Sequence, residues 1–310
     1  MSIPHVFCGD LLDRADHQRR DPDWVSARLS DPRSRFLALS GLNPLVHAAP
    51  PNGGEPRLAW QGPELAVHAA THAQPVLLGL DDDVAHFAID VGADFDAQTG
   101  LGLTTDTRFE DARAIATELP VEQAGTLAHA KSLVDWHARH RFCANCGAIT
   151  EPRNGGKERR CPQCAHHHYP RTDPVVIMVV TDGQRCLLGR SRRRPTGRYS
   201  ALAGFVDQGE SIEEAVRREV KEEADIDIGE VRYHSSQPWP FPSSLMIGCI
   251  ARALSTEIRI DDVELADVRW FSRDEVREAY AQGQSPGEGL RLPGRIAIAH
   301  HIIKAWLEGG

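Results

Sequence analysis

The sequence has no run of about 18 apolar residues, so no helix is expected to cross a bilayer. Its start, Met1 to Arg20, has no basic segment followed by an apolar one. A secretory signal is therefore not expected, and a cytoplasmic location is. Positive charge is not in excess: 44 Asp and Glu against 35 Lys and Arg leave a formal net charge of -9. Such a balance argues against coating DNA or an anionic membrane through the overall field, while leaving room for a local basic groove. Internal repeats and low-complexity tracts are missing as well. The seven cysteines are not an even disulfide set, and four of them fall into two C-x-x-C pairs. In a reducing compartment that pattern favours a metal. With 41% hydrophobic and 25% charged residues a sizeable core can form, and 310 residues predict roughly two domains.

The first hundred residues carry little readable chemistry. Val76 to Leu80 and Val84 to Val91 read as two strands around the acidic turn Asp81-Asp82-Asp83. Ala48 to Gly54 is a loop by composition. Helices are expected over Asp111–Glu118 and Val121–Arg139, separated by Pro120. In the second, Ala124, Leu127, Ala128, Val134 and Ala138 approximate one stripe, and Trp136 reads as ordinary packing. This region is expected to be a small α+β module.

That helix leads into Cys143-Ala144-Asn145-Cys146-Gly147, then, after fourteen residues between the pairs, Cys161-Pro162-Gln163-Cys164. Two short-spaced pairs can bend four thiolates onto one tetrahedral ion, with Gly147 freeing the first turn. The polar stretch Asn154 to Lys157 cannot make a core alone, so metal binding would supply folding free energy. Four sulfurs leave no open position, which predicts a structural rather than a catalytic zinc. His166, His167 and His168 are further ligand types nearby, but four cysteines already satisfy zinc. Cys8 reads as a surface thiol, Cys186 and Cys249 as strand residues.

Beyond Pro170, Val175–Val180, a turn at Asp182-Gly183 and Cys186–Gly189 form a hairpin signal. Further strands are expected at Tyr199–Ala203, Val231–Ser235, Leu245–Leu254 and Val268–Phe271. Ser272 and Glu275 form a capping box opening a helix towards Tyr280, and Ile296–Leu307 reads as a terminal helix. A mixed sheet with helices against it is the expected architecture.

Ser211 and Glu214 form a second capping box, predicting a helix over Ile212–Ala224. At 100° per residue, Ile212, Val216, Glu219 and Glu223 share one stripe, flanked by Val220 and Ala215. Glu222 sits one step aside, beside Arg218 at i,i+4, while Glu213, Glu214, Arg217 and Lys221 face outward. Anions on an inward stripe need a cationic answer, and one arginine cannot neutralise three carboxylates. Oxygen-only ligands at one helix end suit Mg²⁺ or Mn²⁺.

The loop before this helix is bounded by Gly204 and Gly209. The whole stretch reads Gly204, five residues, Glu210, seven residues, Arg218-Glu219-Val220-Lys221-Glu222-Glu223. It resembles the Nudix box, with one departure: Asp225 stands where that family has glycine, at a left-handed helix exit. Downstream, Ser236-Gln237-Pro238-Trp239-Pro240-Phe241-Pro242-Ser243-Ser244 resembles the motif of the NADH pyrophosphatase branch. Three prolines with fixed φ stiffen that segment, and Trp239 and Phe241 give it aromatic faces. The resemblance covers the chain, strongly from Cys143 onward and weakly before it.

The resemblance implies a fold in three parts: an N-terminal α+β domain (1–140), a zinc ribbon (141–169) and a C-terminal mixed-sheet α/β/α Nudix domain (170–310). It implies metal-dependent hydrolysis of NAD(H)-type dinucleotides to AMP and nicotinamide mononucleotide, with two or more Mg²⁺ or Mn²⁺ ions and a homodimeric assembly. Glu219, Glu222, Glu223 and Glu264 match metal-binding glutamates. Glu223 is the expected critical residue and possible general base, with Glu219 its rival and Arg218 orienting the glutamates. Phe205 and Tyr169 match aromatics that clamp adenine, though bare sequence reads both as core residues. Gln237 through Ser244 match the substrate-binding segment, and Ala297 matches a backbone contact. The alternatives are removal of an NAD cap from RNA 5′ ends, for which Arg190, Arg192, Arg193, Arg194 and Arg198 offer a basic run, and a zinc-ribbon nucleic-acid-binding protein without turnover. A sensor that binds NAD without hydrolysing it is a third.

Overall fold

The structure, a computed structural model, describes residues 5–71, 73–193, 195–260, 264–283 and 289–309. Arg194 of the basic run and Asp261–Val263, just before Glu264, lie outside the described residues. The chain forms two compact units. One comprises Phe7–Arg171 with Trp239–Ser243, the other Met1–Val6 with Thr172–Pro238 and Ser244–Gly310.

In the first unit, helix α1 (Pro22–Ser30) starts at Asp21, whose carboxylate accepts from the Asp23 and Trp24 amides. Strands β1 (Arg35–Ser40), β2 (Asn43–His47), β3 (Arg57–Leu58), β4 (Val76–Asp81) and β5 (Val84–Asp90) follow, then α2 (Ala97–Leu101) and β6 (Thr107–Phe109). The sheet order is β3-β2-β1-β5-β4, with β6 also on β2, and only the β1–β5 pair is parallel among those described. The β4–β5 hairpin is the one expected around Asp81 to Asp83.

Helix α3 (Ala112–Ile115) is shorter than the expected Asp111–Glu118. Asp111 caps it, and the chain passes into turns before Leu119, which precedes Pro120 and is steered away from helix. Helix α4 (Val121–Arg139) has the expected bounds, but its stripe is not the expected one. Ala138 is exposed, whereas Lys131, Asp135 and Trp136 are buried. The zinc-ribbon segment adds β7 (Glu151–Arg153), β8 (Glu158–Arg160) and β9 (His167–His168) as a small antiparallel sheet.

The second unit contains β10 (Asp173–Thr181), β11 (Arg185–Ser191), β12 (Leu202–Phe205), α5 (Ile212–Ala224), β13 (Ile228–Trp239), β14 (Ser244–Ala253), β15 (Leu265–Ser272), α6 (Arg273–Gln282) and α7 (Ile298–Leu307). Its mixed sheet runs β13-β14-β10-β11-β15, with β12 also on β10 and β10 parallel to β14. Strand β10 is apolar and buried from Val175 to Val180 because both its faces are covered there. Val176, Met178 and Val180 pack with Val216 and Val220 of α5, while Ile177 and Val179 pack with Val276 of α6 and Ile302 and Trp306 of α7. This is the expected α/β/α sandwich. Several boundaries move: β13 is longer at both ends than the expected Val231–Ser235, and β15 begins at Leu265 rather than Val268. Tyr199 and Ser200 bond to Arg291 and Gly189 instead of joining the ladder, so β12 begins at Leu202. Helix α7 begins at Ile298 rather than Ile296.

Candidate active site

Helix α5 has both the expected bounds and the expected capping box: Ser211 Oγ accepts from the Glu214 amide, and Glu214 accepts from the Ser211 amide at 2.7 Å. Its buried positions are Ala215, Val216, Val220, Glu223 and Ala224, while Glu213, Glu214, Arg217 and Lys221 are exposed. The apolar stripe therefore continues into a carboxylate, as the periodicity predicts. At the helix exit Asp225 takes the left-handed conformation, φ 56° and ψ 28°, and its carboxylate lies 2.7 Å from Lys221 Nζ. The exit geometry that favours glycine is thus present with aspartate.

An open cleft of about 700 Å³ lies beside the second half of α5. Glu219, Glu222, Glu223 and Glu264 all line it, together with Gly204, Phe205 and Arg218. Glu223 is only 8% exposed, and one of its carboxylate oxygens, Oε2, is buried with no hydrogen-bond partner among the described residues. Burial first, and then Glu219, Glu264 and Glu222, push its pKa up to about 8. Glu219 is raised for the same leading reason, opposed by Arg218. Glu222 and Glu264 are exposed, the latter immediately before β15.

Arg218 organises this edge. Its Nε and Nη2 donate to the two oxygens of Glu210 at 2.6 and 2.9 Å, and Nη1 donates to Glu219 and Glu222, each at 2.9 Å. Nη2 also donates to the Phe205 carbonyl at 2.9 Å. The fork holds the Glu210 pKa down at about 2 and raises that of Arg218. Glu210 is the site residue to which the sequence assigned no role. Its only signal is a fixed place in the motif, eight residues before the arginine.

Gly204 explains another fixed position. A Cβ built there would lie 1.8 Å from Glu219 Cδ, so a glycine on β12 is what lets that carboxylate occupy the cleft.

The donor set, four carboxylates with one buried orphan oxygen, fits hard divalent cations. The glutamates share the cleft without closing to single-ion spacing. Among the described residues, the four cysteines are the one His, Cys, Asp or Glu group whose ligand atoms all lie within 4.8 Å of one another.

Those thiols sit on two matching turns. Gly147 (φ 77°) follows Cys143 by four residues, and Ala165 (φ 60°) follows Cys161 by four. The Cys143–Cys164 and Cys146–Cys161 sulfur pairs lie 3.6 and 3.5 Å apart, near the roughly 3.8 Å edge of a tetrahedron with 2.3 Å zinc–sulfur bonds. His168 Nε2 lies 3.3 Å from Cys143 Sγ, within hydrogen-bonding reach of the sulfur. Cys186 and Cys249 are buried on β11 and β14, and Cys8 is half-buried.

The aromatic positions depart from the bare sequence reading. Phe205 is 59% exposed at the cleft and Tyr169 is 65% exposed in the other unit, so neither is a core residue. Tyr169 stacks on His167 with ring centroids 6.3 Å apart.

In the proline-rich segment, Gln237 has no exposed surface. Its amide donates to the Val6 and Ile296 carbonyls at 2.9 and 2.8 Å and accepts from the Ile298 amide at 2.7 Å. Ala297, the residue before α7, offers no side-chain cap, and Gln237 supplies the missing acceptor. Pro238, Trp239, Phe241, Ser243 and Ser244 are half-buried, Pro240 buried and Pro242 exposed. Of the basic run, Arg190 is half-buried on β11 and Arg192, Arg193 and Arg198 are exposed.

A covered mixed sheet, a glycine-bounded loop feeding a helix with carboxylates at its inner end, and an arginine fork across them define a Nudix-type domain. Residues 171–288 match the model of the NUDIX domain. Residues 33–136 match the NADH pyrophosphatase-like rudimentary NUDIX domain, and 138–169 the NADH pyrophosphatase zinc ribbon domain. The chain belongs to the Nudix family, in the branch that carries this ribbon. It is 38% identical to "NAD-capped RNA hydrolase NUDT12" of Homo sapiens over 98% of this chain and 73% of that protein. With "NAD(P)H pyrophosphatase NUDT13, mitochondrial" of Mus musculus it shares 41% identity over 92% of this chain and 88% of the relative. With "NAD-capped RNA hydrolase NudC" of Mycobacterium bovis it shares 38% over 95% and 92%.

Proposed function

We propose that this chain hydrolyses the pyrophosphate bond of NAD(H)-type dinucleotides, adding one water to release AMP and nicotinamide mononucleotide. The observation that carries the reading is the glutamate-lined cleft with its buried, unpartnered Glu223 oxygen. Glu219, Glu222, Glu223 and Glu264 would hold Mg²⁺ or Mn²⁺, which when bound supply an activated water and neutralise charge on phosphate oxygens. Glu223 would act as the general base, burial and the neighbouring carboxylates having raised its affinity for a proton, with Glu219 the second candidate. Arg218 orients Glu219 and Glu222, and Gly204 leaves Glu219 its space. Phe205 and Tyr169 offer exposed rings for adenine. Trp239 and Phe241 offer aromatic surface in the Gln237–Ser244 segment. Gln237 contributes by setting the backbone beside Ala297, its own amide being fully engaged.

The four thiols would hold one structural zinc. A division at 1–140, 141–169 and 170–310, a homodimer and a cytoplasmic location complete the reading. Among the described residues no helix is long and apolar enough to cross a membrane.

A second reading, removal of an NAD cap from RNA, is supported by the relatives that bear that name and by the exposed Arg192, Arg193 and Arg198. It uses the same chemistry on a longer substrate. Chromatography of products from NADH, NAD⁺, NADPH, ADP-ribose and NAD-capped RNA, with Mg²⁺ or Mn²⁺ and with a chelator, tests both. AMP and reduced nicotinamide mononucleotide from NADH, abolished by chelator, are expected. Hydrolysis of no dinucleotide, or hydrolysis unaffected by chelator, would overturn the proposal. A steep salt dependence with RNA alone would favour the second reading.

A further inference from the structure

The segment Pro238-Trp239-Pro240-Phe241-Pro242 has three residues without an amide donor, so the backbone has few ways to fix it. Beyond the end of β13 the backbone turns on a local bond, from the Phe241 amide to the Trp239 carbonyl at 2.8 Å. The two aromatic side chains must be held by what packs on them. Trp239–Ser243 folds with the first unit, although it continues directly from β13.

Within that unit Phe7 is nearly fully buried and meets both rings edge-on, with centroids 5.9 Å from Trp239 and 5.8 Å from Phe241. Trp239 and Phe241 meet each other at 5.3 Å, closing a triangle of rings. Two cations lie over it. The Arg113 guanidinium carbon, on α3, is 4.8 Å from the Trp239 centroid and 5.5 Å from that of Phe241. Lys131 Nζ, on α4, is 4.9 Å from Phe241.

Lys131 is buried, and burial draws its pKa below the ordinary lysine value while Asp135, one helical turn on, draws it back. A buried ammonium needs compensation, and the face of an aromatic ring supplies part of it. Trp239 and Phe241 are left half-buried, each with one side packed and surface remaining.

We infer that Arg113 and Lys131 are positioning residues for substrate: α3 and α4 of the first unit clamp Trp239 and Phe241 in the orientation that receives the dinucleotide. This gives the N-terminal module, otherwise without readable chemistry, a part in substrate selection. The inference rests on the proposed pyrophosphatase reading and deepens it. Neither residue acts on the phosphates. Both work through the rings, so their loss should weaken binding more than turnover.

The test is steady-state hydrolysis of NADH by Arg113→Gln, Arg113→Lys and Lys131→Met, with Glu223→Gln and a chelator control alongside. Arg113→Gln and Lys131→Met should each raise KM roughly five- to thirtyfold, the span of one desolvated cation–π contact, with kcat changed by no more than about twofold. Arg113→Lys, which keeps a cation over the ring, should recover most of the loss. An unchanged KM in both charge-removing variants, or a fall in kcat at constant KM, would overturn the inference. Failure of Arg113→Lys to rescue would do the same. Lys131→Met preserves chain length and suits a buried position, so it remains informative if Arg113→Gln folds poorly. Should the chelator and Glu223→Gln abolish product while Arg113→Gln and Lys131→Met both keep their KM, the positioning inference alone falls. Activity surviving both controls removes the underlying reading instead.

Discussion

Arg218 grips Glu210 with two parallel hydrogen bonds, 2.6 Å from Nε and 2.9 Å from Nη2. That fork fixes the plane of the guanidinium and aims its remaining donor, Nη1, at Glu219 and Glu222 together. One cation is thus shared among three carboxylates, and none of it reaches Glu223. Glu223, buried and without a cationic partner among the described residues, is the member of the set whose ionisation a divalent ion would favour most.

Glu223→Gln should leave the fold intact, because the amide is isosteric and replaces a carboxylate whose burial is unfavourable when charged. Turnover of dinucleotide should fall on the order of a thousandfold, the scale set by removing one preorganised stabilising group. Circular dichroism with product chromatography checks both halves, and near-normal hydrolysis would exclude Glu223 from the mechanism.

The metal-free protein should lose stability as pH rises from about 4.5 to about 8. Glu223 has an ordinary value of 4.5 and a folded value of about 8, so in that window the folded chain holds a proton that the unfolded chain has released. Unfolding then releases a proton, and stability falls with pH by at most about 1.4 kcal/mol per unit for this group. Melting temperatures in chelator at pH 5 and 8 measure it. Glu223→Gln should flatten the slope, and an equal slope in that variant would assign the effect elsewhere.

Gly204→Ala should cost roughly a hundredfold in activity while the protein still folds. The added methyl would overlap the Glu219 carboxylate and displace it by an ångström or more, a shift of the size that disables catalytic geometry. Retention of wild-type rates would mean that Glu219 does not need its present place.

Asp225→Gly should change stability by no more than about 1 kcal/mol in either direction. Relief of the left-handed backbone is opposed by the greater freedom glycine gives the unfolded chain and by loss of the exposed contact with Lys221. Metal-dependent hydrolysis should be the same in both forms. A variant that gains activity which the parent lacks would instead support a sensor role for the parent.

Local pattern alone determined a good deal of this protein. The bounds of α4 and α5, both capping boxes, the β4–β5 hairpin, the apolar run of β10 and the pairing of four cysteines depend on residues within a few positions of each other, and short-range physics makes them legible. The carboxylates at the inner end of α5 were visible for the same reason, since helical angle is a local quantity. Only tertiary packing decided the rest. Glu210 becomes the partner of Arg218 because the loop folds back on the helix. Gln237 spends its amide capping α7, sixty-one residues away in the chain. Phe205 and Tyr169 stay exposed where hydrophobicity alone would bury them. Trp239 and Phe241 meet Arg113, Lys131 and Phe7 across separations of more than a hundred residues, where no periodicity reaches and geometry follows from which surfaces the whole chain can bury.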